Sequence, residues 1–198
     1  MFRQIKDLGQ EKLVPDNTDI IPIQEEDGTT RHIQRSNFLS GLQAIGGADS
    51  QFIQILETQV SGTEGGNATA GAWTKRKLNN IRSDETALVT ISNNEFTLPA
   101  GIYNFNLLSP FYRTATTRIR LRNISDNAII ATSISIYPGA GVDIQCLAEL
   151  QGKFTIAANK SLAIEYRAFR NQDSASLGLS SGWGIEEIFT VINLFKVG

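Results

Sequence analysis

Few side chains in this sequence could do chemistry, and they are scattered along it. The chain has one histidine, His32, and one cysteine, Cys146. These numbers exclude a zinc site built from His and Cys ligands. They also exclude a Ser-His-Asp catalytic triad formed within residues 51–198 alone, because His32 lies outside that range. The neighbouring acids Glu186 and Glu187 fall on a predicted strand, where successive side chains point to opposite faces. They make a poor acid–base pair for glycoside hydrolysis, so we interpret the chain as non-enzymatic, with no catalytic, cofactor-binding or metal-binding residues.

A row of basic residues is the most distinctive polar pattern. Residues 117–123 alternate strictly, with Ile119 and Leu121 on one face. The opposite face carries Arg118, Arg120 and Arg122. Like charges in a row repel unless they are solvated or matched across the sheet. Two interpretations stay open: a solvated outer face paired in part with acids such as Glu149 or Glu165, or a surface that contacts an anion or an acidic polysaccharide of a host cell.

Composition narrows the class of partner. Lys+Arg 18 against Asp+Glu 20 gives a net charge of -2, which removes the counterion release on which non-specific nucleic-acid binding depends. No apolar run approaches the roughly 20 residues of a membrane-spanning helix, and the N-terminus lacks the layout of a secretion signal. We therefore expect a protein that folds in a cytoplasm, with no nucleic-acid partner, no membrane insertion and no cofactor. The single cysteine excludes an intrachain disulfide, and the alternation in residues 142–150 predicts a buried thiol.

The elements that would position these residues are short strands. In residues 95–107, Phe96 and Leu98 share one face of a first strand, a Pro-Ala-Gly step follows, and Tyr103 and Phe105 share one face of a second strand. This pattern predicts an antiparallel hairpin. From Phe52 onward similar strands recur with turn residues roughly every ten positions, including a Gln-Gly turn between strands at 142–150 and 153–157, which predicts an all-β antiparallel sandwich.

The last predicted strand, residues 185–197, is apolar on both faces. One face carries Ile188, Ile192 and Leu194, and the other carries Phe189, Val191, Phe195 and Val197. A strand that is apolar on both faces is buried on both. In a two-layer sandwich only one face meets the opposite sheet, so the second must be covered by another chain or by the N-terminal segment. We favour another chain, with Phe189, Val191, Phe195 and Val197 at the interface.

Residues 1–50 follow a different pattern and predict a separate arm. Residues 18–24 and 30–34 predict a small β-hairpin with a turn at 26–29, and a short helix capped by Ser36 follows. A unit of some 25 residues buries too little apolar surface to be stable alone. It must therefore lean on a larger assembly or, in the alternative interpretation, on the β-sandwich. We predict two parts, an arm at 1–50 and a knob at 51–198.

The arm resembles a known segment. Residues 19–23, 27–33 and 36–39 are similar to a short attachment segment near the N-termini of bacteriophage tail-fibre and other minor virion proteins. The resemblance implies docking on a phage tail or capsid protein. The implied attachment residues are Ile20, Ile21, Ile23, Ile33, Phe38 and Leu39.

The knob resembles two groups of proteins. Residues 96–105, together with the apolar last strand, resemble the trimeric jelly rolls of the complement and tumour-necrosis-factor type. The stretch 55–197, including Trp73 and residues 154–158, is more similar to the C-terminal domain of phage and prophage tail fibres and tailspikes. Both resemblances imply a jelly-roll-like sandwich that assembles as a homotrimer, and the second implies a place on a virion.

These resemblances imply three functions. The first is a short trimeric tail fibre, anchored by its arm, whose knob contacts the host surface through loops such as 139–141 and 171–181, with avidity from three copies. The second is a trimeric cement or decoration protein that stabilises the capsid, which the chain length favours because 198 residues leave no long shaft. The third is a glycan-degrading enzyme of the tailspike type, against which the poor placement of the acids argues.

Overall fold

The structure, a computed structural model, describes residues 20–24, 28–34, 50–170 and 174–197. All regular secondary structure in these residues is β-strand. The chain divides into two compact units, Met1–Ala48 and Asp49–Gly198.

The first unit contains a β-hairpin. Strands β1 (Ile20–Gln24) and β2 (Thr30–Gln34) pair antiparallel over their whole length, as the alternation predicts. Gly28 in the connection has φ +82°, a conformation that glycine adopts without steric cost. The predicted helix with Phe38 and Leu39 lies outside the described residues.

The second unit is a sandwich of two antiparallel sheets. Its strands are β3 (Gln51–Gln59), β4 (Thr74–Lys75), β5 (Asn80–Asp84), β6 (Thr90–Ser92), β7 (Glu95–Leu98), β8 (Gly101–Tyr112), β9 (Thr117–Asn123), β10 (Ala128–Thr132), β11 (Gln145–Ile156), β12 (Lys160–Ala168) and β13 (Glu187–Val197). One sheet has six strands, in the order β10-β9-β12-β7-β6 with β4 beside β12, and the other has five, in the order β11-β8-β13-β3-β5. The predicted all-β antiparallel sandwich is confirmed.

The core lies between the sheets, where alternate side chains of the central strands are buried. Tyr103 stacks on Phe154 with ring centroids 5.3 Å apart, and Phe111 lies 5.8 Å from Tyr166. The six-stranded sheet adds Phe96, Leu98, Ile119, Leu121, Leu162 and Ile164. Burial of each such side chain contributes about 1.5–3 kcal/mol, so alternation determines which face of each strand turns inward.

The central motif is not a hairpin. Phe96, Leu98 and Tyr103 are buried, but β7 pairs with β12 whereas β8 pairs with β11 and β13. The Pro-Ala-Gly step at 99–101 therefore carries the chain from one sheet to the other. Apolar alternation is the same for two strands that pair and for two that face each other across the core, which is why the predicted hairpin was wrong.

Strand β11 is continuous where the sequence predicts a turn. Gly152 lies within it, opposite Phe105 of β8. A Cβ at Gly152 would lie 3.0 Å from Phe105 Cε1, so this glycine leaves room for the ring. It therefore serves a close approach within a strand, and the predicted Gln-Gly turn was wrong.

A bulge interrupts β13. The pairing of β13 with β3 shifts register between Ile188 and Val191, so the consecutive residues Phe189 and Thr190 are both buried, at 5% and 0% exposure. Ile188 is 46% exposed, and its predicted place on the core face was wrong because alternation fails at a bulge.

The sandwich has two distinct ends. Gln51 pairs with Lys196 at one end, which we call the base, where the chain enters β3 and leaves β13. Gln59 and Glu187 pair at the opposite, distal end. The longer connections at residues 60–73 and 133–144 lie at the distal end, as do the described residues between β12 and β13, 169–170 and 174–186.

Candidate functional site

The arginine row lies on the outward face of the six-stranded sheet and is partly neutralised. Glu165 on β12 accepts a hydrogen bond from Arg120 Nε at 2.6 Å and another from Arg122 Nη1 at 3.2 Å. Its side chain is nearly buried between them. The predicted pairing with Glu165 is thus present. Glu149 lies on β11, in the other sheet, and makes no such pair.

Arg118 lacks this compensation. Its Nε donates to Ser135 Oγ at 2.9 Å, and within the described ranges no carboxylate forms an ion pair with it. Arg167 of β12 stands directly opposite in the strand register and is exposed. It also lacks an acidic partner among the described residues. Like charges placed opposite each other repel. The distal end of this sheet therefore carries positive charge that no described carboxylate neutralises.

Aromatic side chains flank these two arginines. Trp73, Phe169, Arg118 and Arg167 line a groove of about 570 Å³. The Arg120 guanidinium carbon lies 4.2 Å from the Trp73 ring centroid, a cation–π contact that holds the indole in place. Phe169 is 70% exposed. The groove thus offers two guanidinium groups beside accessible aromatic surface.

The three central strands of the five-stranded sheet, β3, β8 and β13, form an outward surface of the opposite character, which we call the uncharged face; the outward positions of the edge strand β11 include Glu149 and Lys153. On the three central strands the outward positions carry no charged side chain. Phe195 is 41% exposed there, and its ring centroid lies 5.1 Å from that of Phe52. The other outward residues of these strands are Gln54, Leu56, Thr58, Ile102, Asn104, Asn106, Leu108, Pro110, Tyr112, Ile188, Val191, Asn193 and Val197.

A row of amides crosses this uncharged face. Gln151, Asn106, Asn193 and Gln54 stand opposite one another on successive strands. Gln54 Nε2 donates to Asn193 Oδ1 at 2.9 Å. A second protein surface placed on β3, β8 and β13 would therefore meet hydrogen-bonding groups and aromatic carbon without desolvating a charge, whereas one that extended across β11 would also cover Glu149 and Lys153.

Three of the predicted interface residues lie on this face, and the fourth is covered. Val191, Phe195 and Val197 occupy outward positions of β13. Phe189 is buried against Gly178, at which a Cβ would lie 2.2 Å from Phe189 Cδ1. We withdraw Phe189 from the predicted interface, because its own chain already covers the ring.

A second apolar surface runs along the edge formed by β10 and β11. Ile129, Ile134 and Leu147 are exposed there. Ile134 and Leu147 also line a cleft of about 390 Å³ between the two edge strands, together with Gln151. Leu147 and Gln151 occupy outward positions of β11, on the same side of the five-stranded sheet as the uncharged face, whereas Ile129 lies on β10 of the other sheet. The edge therefore adjoins the uncharged face and continues to the six-stranded sheet.

Glu187 joins two distal loops. Its carboxylate accepts backbone N–H groups from Ser181, from Gly182 at 2.8 Å and from Gly62 at 3.1 Å. These donors, Ser181 foremost, lower the pKa of Glu187 to about 2. Glu186 instead pairs with Arg82. Both acids thus make structural contacts, Glu187 with backbone N–H groups of the distal loops and Glu186 with Arg82.

The same loops pack closely and present apolar side chains. Gly65 N–H donates to the Gly178 carbonyl at 2.9 Å, and a Cβ at Gly65 would lie 2.5 Å from the Leu177 carbonyl oxygen. Trp183 projects from this framework with 81% exposure, beside the exposed Ile185. The distal end therefore combines fixed loops with accessible apolar surface.

A buried ion pair supports the distal loops from below. Glu57 and Arg76 are both 0% exposed, with Arg76 Nη2 2.6 Å from Glu57 Oε2. Arg76 also donates to the Leu177 carbonyl at 2.8 Å and to Thr190 Oγ1 at 2.8 Å. Desolvation by burial raises the pKa of Glu57, although the Arg76 charge opposes it. The sequence gives no sign of this pair, because Glu57 lies in a strand whose neighbours are apolar.

The remaining reactive residues form no cluster. His32 is exposed on β2, and Cys146 is half-buried with its Sγ 3.7 Å from the Tyr137 carbonyl. Within the described ranges, no three His, Cys, Asp or Glu side chains come together to hold a metal ion. The same ranges contain no helix that could cross a membrane.

The predicted attachment residues lie in the first unit. Ile20, Ile21 and Ile23 belong to β1, and Ile33 belongs to β2 as the register partner of Ile21. Phe38 and Leu39 lie outside the described residues. Their role in attachment stays a prediction.

Sequence reasoning missed the groove. Arg118 was identified, but Arg167, Trp73 and Phe169 were not connected with it. They come together only because β12 pairs with β9 in a register that sets Arg167 opposite Arg118. The sequence contains a second arginine, Arg167, on another predicted strand, but only the order of the strands in the sheet places it beside Arg118.

The fold has counterparts among solved structures. Neither a protein-family model nor a curated protein sequence matches the chain. Murine APRIL at pH 5.0 is similar with a TM-score of 0.53 and 10% identity, over 74% of this chain and 98% of that one. Murine APRIL at pH 8.0 gives 0.50 and 8%, over 74% and 98%. The globular domain of zebrafish complement 1qA gives 0.49 and 16%, over 74% and 96%. At such identities the likeness concerns the fold, and it confirms a jelly-roll sandwich of the kind predicted.

Proposed function

We propose that this chain is a homotrimeric attachment protein of a bacteriophage virion, acting as a short tail fibre. Residues 51–198 form the knob, and residues 1–50 dock on a tail or capsid protein. The observation that carries the trimer is the uncharged face formed by the three central strands of the five-stranded sheet, where Phe195 is 41% exposed and Ile102 is 37% exposed. An aromatic and amide face of this kind gains free energy when a partner excludes water from it.

Two neighbouring apolar surfaces allow a closed ring of subunits. The uncharged face lies on β3, β8 and β13, and the edge with Ile134 and Leu147 lies beside it along β10 and β11. If the edge of one subunit meets the face of the next, the contact is heterologous, and such a contact generates a ring when its rotation closes and an open filament when it does not. A ring of three is the state that the jelly-roll resemblance implies.

The two ends of the sandwich support an attachment role. The chain enters the knob at the base, beside the end of β13. The distal end carries fixed loops with exposed apolar side chains, Trp183 among them. Three parallel copies would present three such ends together, so each could bind weakly while the trimer binds well.

The virion location is supported by the sequence resemblances of the arm and the knob. The proposal places the mature protein on the particle after it folds in the host cytoplasm. The test is imaging of labelled protein on intact particles, with its copy number measured. Label confined to the tail is the expected result. Label over the whole shell would overturn the fibre and assign the protein as a capsid cement.

Glycan hydrolysis is tested separately. Purified protein incubated with host surface glycans is expected to release no sugar. Release that a single carboxylate substitution abolishes would show the assignment as a non-enzyme to be wrong.

A further inference from the structure

We propose that the groove lined by Trp73, Phe169, Arg118 and Arg167 binds an acidic saccharide, with the two guanidinium groups on a carboxylate and the aromatic side chains on the sugar ring. The inference names a ligand class for the attachment role and rests on that role for its biological meaning. The groove itself lies within one chain.

Charge is the first argument. Arg120 and Arg122 share Glu165, whereas Arg118 and Arg167 stand opposite each other with no ion pair to any described carboxylate. Two cations on neighbouring strands cost free energy in the empty protein. An anion placed between them relieves this repulsion, and a carboxylate suits arginine because the guanidinium can donate two parallel hydrogen bonds to it.

Shape is the second argument. The floor of the groove is made by small residues, Ala70 and Gly71, which pair with Ala168 through a bridge and a 2.9 Å hydrogen bond. A Cβ at Gly71 would meet no atom within 4 Å, so the floor is open. The volume of the groove, about 570 Å³, falls in the range of small-ligand sites.

Aromatic surface decides between anions. Phe169 is 70% exposed, and Trp73 is held on Arg120. A small inorganic anion makes no use of such surface, whereas the C–H groups of a pyranose ring pack on it. The combination of aromatic rings with paired arginines therefore points to a sugar that carries a carboxylate.

The site stays open in the proposed trimer. Arg118 and Arg167 lie on the outward face of the six-stranded sheet, and the proposed subunit contacts use the face of the five-stranded sheet and the β10–β11 edge. Trimer assembly would therefore present three grooves on the outside of the knob.

The test is titration of the full-length chain with oligomers of galacturonic acid and with the same oligomers as methyl esters. The chain has two tryptophans, so in a Trp183→Phe background the fluorescence reports Trp73 alone. We expect saturable binding of the free acid with a dissociation constant on the order of 1 mM. Arg118→Gln and Arg167→Gln should each weaken it about tenfold, and esterification should weaken it at least as much. Inorganic phosphate at the same ionic strength should compete poorly.

Arg122→Gln is the matched control, because it removes the same charge from the same strand away from the groove. It should change binding less than twofold. The inference is overturned if no saturable change occurs, if the ester binds as well as the acid, if phosphate competes fully, or if Arg122→Gln weakens binding as much as Arg167→Gln. Far-ultraviolet circular dichroism of each variant verifies folding.

The oligomeric state, measured on the same samples, separates this inference from the proposed function. A single subunit that still binds the acid would refute the trimer and leave the site. A trimer without binding would refute the site and leave the trimer.

Discussion

Arg76→Met should destabilise the knob more than any surface change, because it leaves the Glu57 carboxylate buried without its cation. Glu57 and Arg76 are both 0% exposed. Removal of one partner of a buried ion pair costs about 3–5 kcal/mol, and the Leu177 carbonyl also loses its 2.8 Å donor. A domain with an ordinary free energy of unfolding, about 5–15 kcal/mol, would lose a large part of that free energy.

The double variant Glu57→Met with Arg76→Met should recover most of this loss. Two apolar side chains of similar volume replace a buried ion pair at little or no net cost. The Leu177 carbonyl, which loses its Arg76 donor, retains a cost of about 1–3 kcal/mol, whereas the Thr190 hydroxyl still contacts Ser109 Oγ at 3.2 Å. We therefore expect the double variant to be more stable than Arg76→Met alone.

The pH dependence has a definite sign. Burial raises the pKa of Glu57, and the Arg76 charge lowers it; without Arg76 the pKa rises further. A carboxyl whose folded pKa lies above the unfolded value of 4.5 stabilises the protein at low pH, and this stabilisation is lost as pH rises through the folded pKa. Arg76→Met should thus become more stable as the pH falls through the folded pKa of Glu57 towards 4.5, and the double variant should not show this gain.

The assay is urea unfolding followed by tryptophan fluorescence at fixed protomer concentration. The reasoning is refuted if the free energy of unfolding of Arg76→Met lies within about 1 kcal/mol of that of the unsubstituted protein, or if the double variant is as unstable as the single one.

Three further outcomes are expected. Glu187→Gln should loosen the distal loops at neutral pH, so their backbone amide hydrogens should exchange faster than in the unsubstituted protein. In the unsubstituted protein the Glu187 carboxylate should keep its hydrogen bonds to these amides down to about pH 2, its pKa. Equal exchange rates would contradict this. Gly178→Ala should lower the melting temperature, since its Cβ would lie 2.2 Å from Phe189 Cδ1 at φ +135°, whereas Gly71→Ala, also at positive φ but in open space, should lower it less. Tyr103, whose pKa burial raises to about 12, should ionise late in an absorbance titration, and its stabilising effect should be lost only as pH rises from 10 through about 12; ionisation near pH 10 would refute its burial.

The sequence predicted inward faces well and strand partners poorly. Phe96, Leu98 and Tyr103 are buried as expected, because alternation reports which side chains leave water. The pairing of β7 with β12 could not be predicted, since alternation carries no information about which strand lies alongside.

The candidate sites show the same limit. The pairing of Arg120 with Glu165 was anticipated, since it needed only opposite charges on outward positions. The bulge that buries Phe189 and the register that sets Arg167 against Arg118 were not. Both depend on backbone pairing between segments that are distant in sequence.

The most direct test of the central claim, that the uncharged sheet face joins three subunits, is sedimentation equilibrium of the full-length chain at micromolar concentration. The account predicts about 65 kDa, three times the 21.7 kDa of one chain. Phe195→Glu on that face should yield single subunits, whereas Phe169→Glu, an equally drastic change at the exposed phenylalanine that directly follows β12, should remain a trimer. A parent protein that sediments as a stable, folded 21.7 kDa subunit would contradict the account.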